Sequence, residues 1–396
     1  MPLPLASCND VNVCVKHLFV KAYKFKLRPS KRVAHVFEQT LDVCRELYNA
    51  GLQERRDSWK LNKVSLNFHS QAIQLPAIKT VREDVDALYS QVPQDALRRV
   101  HKAFDAFFRR VKARQTAGFP RFKSKSRYDS FCYPQSGFKL IGDKLTLSKI
   151  GSVRLRLSRP CEGNIKTCTI KHEADGWYVV FTAETEAKPL PKLSAQVGID
   201  VGLTNFATLS SGTEIDNPRF FRAAQATLAG AQRKVARRKK GGNQRRKAVQ
   251  LLARVHQHVR AQRTDFHHKI SRLLVNNHQL IAVEDLNVKG LASGVLAKAV
   301  TDAGWGYFLN MIAYKAEDAG RQFVKVDARG TSQTCICGAH TPKTLSQRWH
   351  KCDACGLSNS RDHVSAQVIL QRAGGLPVET LTYRNTESVV SESPYL

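Results

Sequence analysis

Residues 197–212 read VGIDVGLTNFATLSSG. An apolar run reaches Asp200, flanked by Gly198 and Gly202, a second apolar run (FATLS) follows, and Ser211-Gly212 offers a turn. This pattern predicts adjacent strands with a carboxylate at the end of the first. Two more acidic residues stand at comparable places. Glu284 ends the apolar run of LIAVEDLNVKG (280–290), and Asp362 follows Arg361 in CGLSNSRDHVSAQVIL (355–370), where a helix is expected to begin. Singly, each has a plain reading: an Asp at a strand end is commonly a turn residue, and Asp362 suits a helix N-cap. Together they suit phosphodiester hydrolysis, which often uses paired divalent metals held by converging carboxylates. Three carboxylates a few Å apart repel one another. At 4 Å and an effective dielectric near 20, each pair costs about 4 kcal/mol. A cation removes that repulsion, so such a cluster implies a metal.

Around this stretch the periods alternate. A basic helical segment covers roughly 222–277, followed by the strand QLIAVEDL, a helix near WGYFLNMIAYKAEDAG (305–320), the strand RQFVKVD (321–327) and a helix from Asp362. Strands alternating with helices predict an α/β layered domain. Upstream, HLFVKAYKFKL (17–27) alternates apolar and basic residues as a strand does. Helical stripes follow through Phe37, Leu41, Cys44, Tyr48 and Leu52, then Leu97, Val100, Phe104, Phe107 and Val111. VRLRL puts Val153, Leu155 and Leu157 on one face and Arg154 and Arg156 on the other. TCTIKHEADGWYVVFTAE (167–184) predicts a hairpin turning at Asp175-Gly176. The expected architecture is a β unit (1–35 and 116–190) interrupted by a helical unit (36–115), a KPLPKLS linker (188–194), the α/β domain (191–330 and 357–373) with a cysteine-bearing insert (331–356), and a disordered tail (374–396).

The 396 residues suffice for two or three domains with real cores. They hold 63 Lys and Arg against 33 Asp and Glu, a formal charge of +30. That excess points to a polyanionic partner, with nucleic acid first and an anionic membrane surface as the alternative. No apolar stretch approaches the ~20 residues of a spanning helix. The first residues lack a basic n-region and a long apolar core, so no signal peptide is expected and the location is cytoplasmic, near the nucleoid. RKVARRKKGGNQRRK (233–247) carries Arg233, Lys234, Arg237, Arg238, Lys239, Lys240, Arg245, Arg246 and Lys247 without an acid among them. A charge run is usually a solvated helix face. Beside a nuclease strand it is expected to grip phosphates, and the Arg154/Arg156 face and RRVKARQ (109–115) extend that surface.

Of ten cysteines, Cys8, Cys14, Cys44, Cys132, Cys161 and Cys168 are scattered and suit reduced thiols. Cys335, Cys337, Cys352 and Cys355 give C-x-C, fourteen residues, then C-x-x-C-G. Four thiolates around one Zn²⁺ make a closed structural site. The C-x-C half forces a tight turn, and His340 or His350 is the alternative ligand.

The three acidic motifs, in this order, resemble the RuvC arm of the RNase H-like superfamily. More closely, the chain resembles the TnpB family, RNA-guided nucleases of insertion sequences and relatives of type V CRISPR effectors. GFPRFKSK (118–125), GIDVGLTNFATLSSG, RTDFHHK (263–269), AVEDLNVKGL, TDAGWGYF (301–308), RGTSQTC (329–335) and the final RD carry the likeness, which spans about 22–372 and is most specific from 197 onward. The resemblance implies a RuvC nuclease domain with an inserted zinc ribbon, preceded by a β-barrel-like wedge domain carrying a helical insertion. It implies Asp200, Glu284 and Asp362 as catalytic ligands of two Mg²⁺ (or Mn²⁺), a bound guide RNA, double-stranded target DNA with its displaced strand, and a monomer with one RNA. It also implies that the helical and β units contact a short motif beside the target, with Tyr48 and Gln94 at matching positions. From the residues alone, Tyr48 belongs equally to the apolar stripe and Gln94 to a helix start. An RNA–DNA heteroduplex of about 20 bp carries roughly 40 phosphates, the scale of the charge found here.

Two departures stand out. The family's RD-x-N-A-A reads here Arg361, Asp362, His363, Val364, Ser365, Ala366, so Val364 replaces a supporting amide, and the first knuckle is C-x-C rather than C-x-x-C. Three alternatives share part of the pattern: a miniature CRISPR-associated type V effector, a guide-free RuvC-type resolvase, and an RNA-guided binder without catalysis. The basic N-terminal half disfavours the resolvase, and the binder would usually have lost a carboxylate.

Overall fold

The computed structural model describes residues 18–344 and 346–375. Cys8, Cys14, nearly all of the unassigned 1–19 and the expected tail from 376 onward lie outside them. The chain packs as two compact units, Met1–Glu186 and Ala187–Leu396. Among the described residues no helix is long and apolar enough to cross a membrane.

The first unit opens with β1 (Leu18–Arg28). Its alternation is that of a one-sided strand: Tyr23, Phe25 and Leu27 are buried, while Lys24, Lys26 and Arg28 face water. Ser30 then caps α1 (Lys31–Asn62), its hydroxyl accepting from the Val33 amide at 3.3 Å. The helix stops at Lys63, which turns left-handed at φ 57°. The predicted stripe from Phe37 to Leu52 is buried throughout. Short helices α2 (Phe68–Ala72), α3 (Leu75–Val81) and α4 (Glu83–Asp86) lead to α5 (Gln91–Lys112). α5 crosses α1 at Gly51, where a Cβ would stand 2.9 Å from Leu97 Cδ2. The second stripe is buried only at its start. Leu97 and Val100 are inside, Phe104 and Phe107 are half-buried, and Val111 is exposed: Phe104 still reaches the core, and both rings pack on Phe119.

Strands β2 (Ser130–Tyr133), β3 (Phe138–Ile141), β4 (Lys144–Leu147), β5 (Gly151–Arg156), β6 (Asn164–Glu173) and β7 (Gly176–Glu186) complete an antiparallel sheet ordered β2-β6-β7-β1-β5-β4-β3. β1 is thus central although the helices separate it from the rest of the sheet in sequence. The ladder is open between β2 and β3, so the sheet is not a hydrogen-bonded barrel, but Tyr133 at the β2 edge donates to the Ser148 carbonyl beyond β4. The β6–β7 turn is Ala174-Asp175, one residue earlier than predicted, with Gly176 paired to Glu173. Leu157 falls past the end of β5 and is exposed rather than inward. Phe37 of α1 seats between Phe131 and Trp177, with ring centroids at 5.8 and 5.0 Å.

The second unit begins with a segment tied to it rather than a free linker. Lys188 and Leu190 donate their amides to the Asp318 and Ala319 carbonyls, and the Arg321 guanidinium donates to the Pro191 carbonyl at 2.7 Å. β8 (Gln196–Val201), β9 (Asn205–Leu209) and β10 (Glu214–Asp216) form an antiparallel meander. The basic segment is three helices, α6 (Phe220–Ala223), α7 (Gln225–Ala236) and α8 (Asn243–Asn277), rather than one run. The break follows from Gly241 at φ 84°. β11 (Leu280–Glu284), α9 (Val288–Leu291), α10 (Ala297–Ala303), α11 (Trp305–Asp318) and β12 (Gln322–Val326) follow. A small pair, β13 (Trp349–Lys351) and β14 (Ser358–Ser360), leads into α12 (Arg361–Arg372). The main sheet is ordered β10-β9-β8-β11-β12, with β11 parallel to both β8 and β12. α12 lies directly on β8: a Cβ on Gly198 would sit 2.0 Å from the Ala366 carbonyl. Only glycine lets helix and strand approach this closely.

Candidate active site

β11 and β8 run in parallel register, Val283 opposite Ile199. The next residues along are Glu284 and Asp200, side by side where two central strands end. α12, seated over Gly198, adds Asp362 from its first turn, so Asp362 is not the helix cap; that position is Ser360. Burial pushes the Asp200 carboxyl well above the usual carboxylate range, and the charges of Glu284 and Asp362 push it further, against Arg361. Burial also raises Glu284, opposed by a hydrogen bond from the Thr331 hydroxyl and by Arg372. The neighbouring Asp285 is exposed and pairs with Lys325 at 3.1 Å, so the strand register turns Glu284, not Asp285, toward the other carboxylates.

Residues not singled out in the sequence frame this cluster. The Arg361 Nε lies 3.1 Å from Asp362 Oδ1. Arg372, at the far end of α12, donates to the Asp327 and Arg329 carbonyls at 2.8 Å each, fixing the loop that delivers Thr331. Thr331 lay within the quoted RGTSQTC and Arg361 beside Asp362, but their partners depend on loop geometry that spacing does not encode. Val364 is fully buried, and His363 instead makes the polar contact from this turn, Nε2 to the Ser210 carbonyl at 3.1 Å. Half-buried carboxylates brought to one end of neighbouring strands are a donor set for hard divalent cations.

The four cysteines of the insert converge more tightly. Their Sγ atoms all lie within 4.8 Å of one another, with Cys335–Cys355 at 3.6 Å and Cys337–Cys352 at 3.7 Å. A tetrahedron with Zn–S bonds of about 2.3 Å has edges of about 3.8 Å, so the set fits a four-thiolate ion. Among the described residues it is the one such group of potential ligands. The shortened knuckle closes because Gly338, at φ 86°, returns its amide to the Cys335 carbonyl at 2.9 Å. Neither histidine joins the set: His340 is exposed, and His350 is buried with Nδ1 against Lys343. Amides of the knuckle hold the Cys352 thiol down at about 6, and burial pushes Cys335 up to about 12.

The remaining predicted contact residues divide. Tyr48 is 3 % exposed, packed on Tyr128 with ring centroids at 6.1 Å, so its ring belongs to the core and not to a base-reading surface. Gln94 is exposed in the first turn of α5, beyond the cap position at Ser90. Arg154 and Arg156 are exposed on β5, and Arg154 lies in cross-strand register between Arg28 and Lys144. In the basic run, Arg233, Lys234, Arg237, Arg238, Lys239, Lys240, Arg246 and Lys247 are exposed. Arg245 is half-buried and donates to the Val235 and Arg238 carbonyls, which makes it a staple of the α7–α8 turn.

Comparison with known proteins matches this layout. Residues 178–294 match a family model described as "Probable transposase", 305–369 one described as "Cas12f1-like, TNB domain", and 20–63 one described as "Helix-turn-helix domain". In the last span the chain forms β1 and the single helix α1. A Streptomyces pristinaespiralis protein named "Putative RNA-guided DNA endonuclease" is 34% identical over 367 residues, covering 90% of this chain and 89% of that one. Its Escherichia coli K12 counterpart InsQ, of like name, is 30% identical over 89% of this chain and 92% of its own. A Cas12f1 chain, solved by cryo-EM with sgRNA and target DNA, shares the fold with a TM-score of 0.54 at 15% identity, covering 86% of this chain and 83% of that chain. By the identity it shares with these relatives and the span over which it shares it, the chain belongs to the TnpB family.

Proposed function

We propose that the chain is a metal-dependent, RNA-guided DNA endonuclease of an insertion sequence, cutting DNA beside a short motif. The observation that carries this reading is the register placing Asp200 and Glu284 side by side, with Asp362 brought over them by α12. These residues would hold Mg²⁺ or Mn²⁺; a bound pair supplies activation of the attacking water and charge neutralisation at the leaving 3′ oxygen. The chain's own contribution is preorganisation. Thr331 fixes one Glu284 oxygen, Arg372 fixes the loop behind Thr331, and Arg361 orients Asp362. Cys335, Cys337, Cys352 and Cys355 would hold Zn²⁺ and order the insert that connects Thr331 to α12.

In this reading, residues 18–35 and 116–186 are the wedge-like β domain, and 36–115 the helical recognition insertion. The exposed cations of β5 and of α7–α8 would contact phosphates. The partners are one guide RNA per chain, target duplex and its displaced strand, with sequence chosen by base pairing. The Cas12f1-like TNB match also favours a second setting for the same chemistry, a CRISPR effector, which the origin of the co-purifying RNA would distinguish.

The test is cleavage of a plasmid library with randomised flanks by protein loaded with either of two guides. Each guide should direct its own cut site beside a common motif. Asp200→Ala, Glu284→Ala or Asp362→Ala should each abolish cutting and leave nucleic-acid binding nearly unchanged. The reading is wrong if RNA-free protein cuts equally well, or if both guides give the same site.

A further inference from the structure

The end of α5 carries rings that reach beyond the core. Phe104, itself packed against the core, Phe107, Phe108 and, past the helix, Phe119 touch edge to face or stacked, with centroids between 5.2 and 6.2 Å. Phe108 is 59% exposed and Phe119 48%. Phe122, 41% exposed, lies with its ring 5.4 Å from the Arg56 guanidinium. Contiguous exposed aromatic surface in a folded domain marks a surface that something covers.

The rim says what covers it. From Arg98 to Tyr128 the chain has eleven Lys or Arg and one carboxylate, Asp105. Asp105 pairs with His101 at 3.8 Å, while Arg99 pairs with Asp95 at 2.7 Å and Lys125 with Asp42 at 2.6 Å, so the cations of this stretch still outnumber the carboxylates that meet them. A second copy of the chain would bring a net +30 onto a face that is itself cationic, which opposes association. A strand with unpaired bases matches both features, since base faces stack on aromatic rings while phosphates meet the cations. A duplex hides those faces. Phenylalanines left bare are a standing liability, so the cover must be present before any target is met, and the bound RNA meets that condition where target DNA does not.

We propose that Phe108 and Phe119 form a stacking platform for unpaired bases of the bound RNA, with Arg109, Lys112 and Arg121 on its phosphates. This rests on the RNA-guided reading and says where part of that RNA is held. The test uses the full-length chain with an oligo(U) of about 16 nucleotides carrying 4-thiouridine. After irradiation at high salt, where phosphate contacts are screened, crosslinks should map to Phe108 or Phe119. The Phe108→Ala/Phe119→Ala pair should bind oligo(U) about tenfold or more weakly, with duplex affinity unchanged. The Phe108→Trp/Phe119→Trp pair keeps the rings and should keep the affinity, and with the crosslink map it decides the matter if the alanine pair misfolds. Crosslinks confined elsewhere, undiminished oligo(U) binding, or a loss seen with oligo(dT) alone would overturn the proposal. A wild-type dimer that the alanine pair turns to monomer would do so in favour of a second copy. Guided cleavage is scored separately: a failed platform with reprogrammable cutting sinks this inference alone, and a sound platform without reprogramming sinks the guided reading.

Discussion

Thr331 is buried, and its hydroxyl is spent on Glu284. A hydrogen bond to a charged acceptor contributes about 1.5–3 kcal/mol. That bond holds Glu284 lower than burial alone would, so removing it raises the carboxyl further. Thr331→Val should therefore cut kcat/KM about tenfold or more and move the acidic limb of the pH–rate profile upward, while Thr331→Ser restores both. An unmoved acidic limb would reduce Thr331 to packing. A second buried group gives a stability signature. His267 lies against Phe206 and Phe308, and because a carbonyl can only accept, its Nε2 donates to Ala303 at 2.9 Å. Nδ1 is left buried without a partner, and burial lowers the ring's pKa to about 4. A base depressed in the folded state favours folding fully above its unfolded pKa of about 6.5, and that contribution is lost as pH falls toward the folded value. Urea denaturation should show wild type losing up to roughly 3 kcal/mol more than His267→Gln between about pH 7 and about pH 4. Parallel curves for the two proteins would refute this.

At the scale of elements, the α12–β8 crossing is the narrowest tolerance in the second unit. Gly198→Ala puts a methyl group against the Ala366 carbonyl, so α12 must shift. Overpacking of this kind costs about 1–3 kcal/mol, and a shift of about 1 Å can cost 10²-fold in rate. Gly198→Ala is expected to melt lower and to lose cleavage out of proportion to its lost stability; a variant with wild-type turnover would show that the crossing does not position Asp362. The cysteine insert makes a separate prediction. Freshly purified protein should contain one zinc per chain, Cys337→Ser should lower it, and His340→Ala should not. Zinc-free, fully folded protein would dismiss the site. The strands were readable because apolar runs ending in Asp200 and Glu284 mark strand ends directly. α9 and α10 were not, since helices of four and seven residues span too few turns to show a period. Val111 misled because its spacing is helical while nothing packs over that end of α5.

Across the whole molecule, the α/β sheet, the β unit and the helices inserted after its first strand could all be read from changes of period. Strand order could not, since nothing local says that β1 sits between β7 and β5 or that β11 lies beside β8. The carboxylates were legible as residues, whereas Thr331, Arg361 and Arg372 became visible only once loops had definite conformations. Tyr48 shows the limit of matching positions: the resemblance implies a DNA contact there, the helical spacing implies a core side chain, and the ring is buried. The site's construction also sets an order in time. Asp200 and Asp362 are separated by 362 − 200 = 162 residues, and they meet only when α12 docks across Gly198. At about 5–20 residues per second, a ribosome needs roughly ten to thirty seconds to travel between them. For the last 362 − 277 = 85 residues of that interval the nascent chain has the cations of α7 and α8 but no third carboxylate, so on the proposed reading each new molecule can meet nucleic acid before it is armed to cut it.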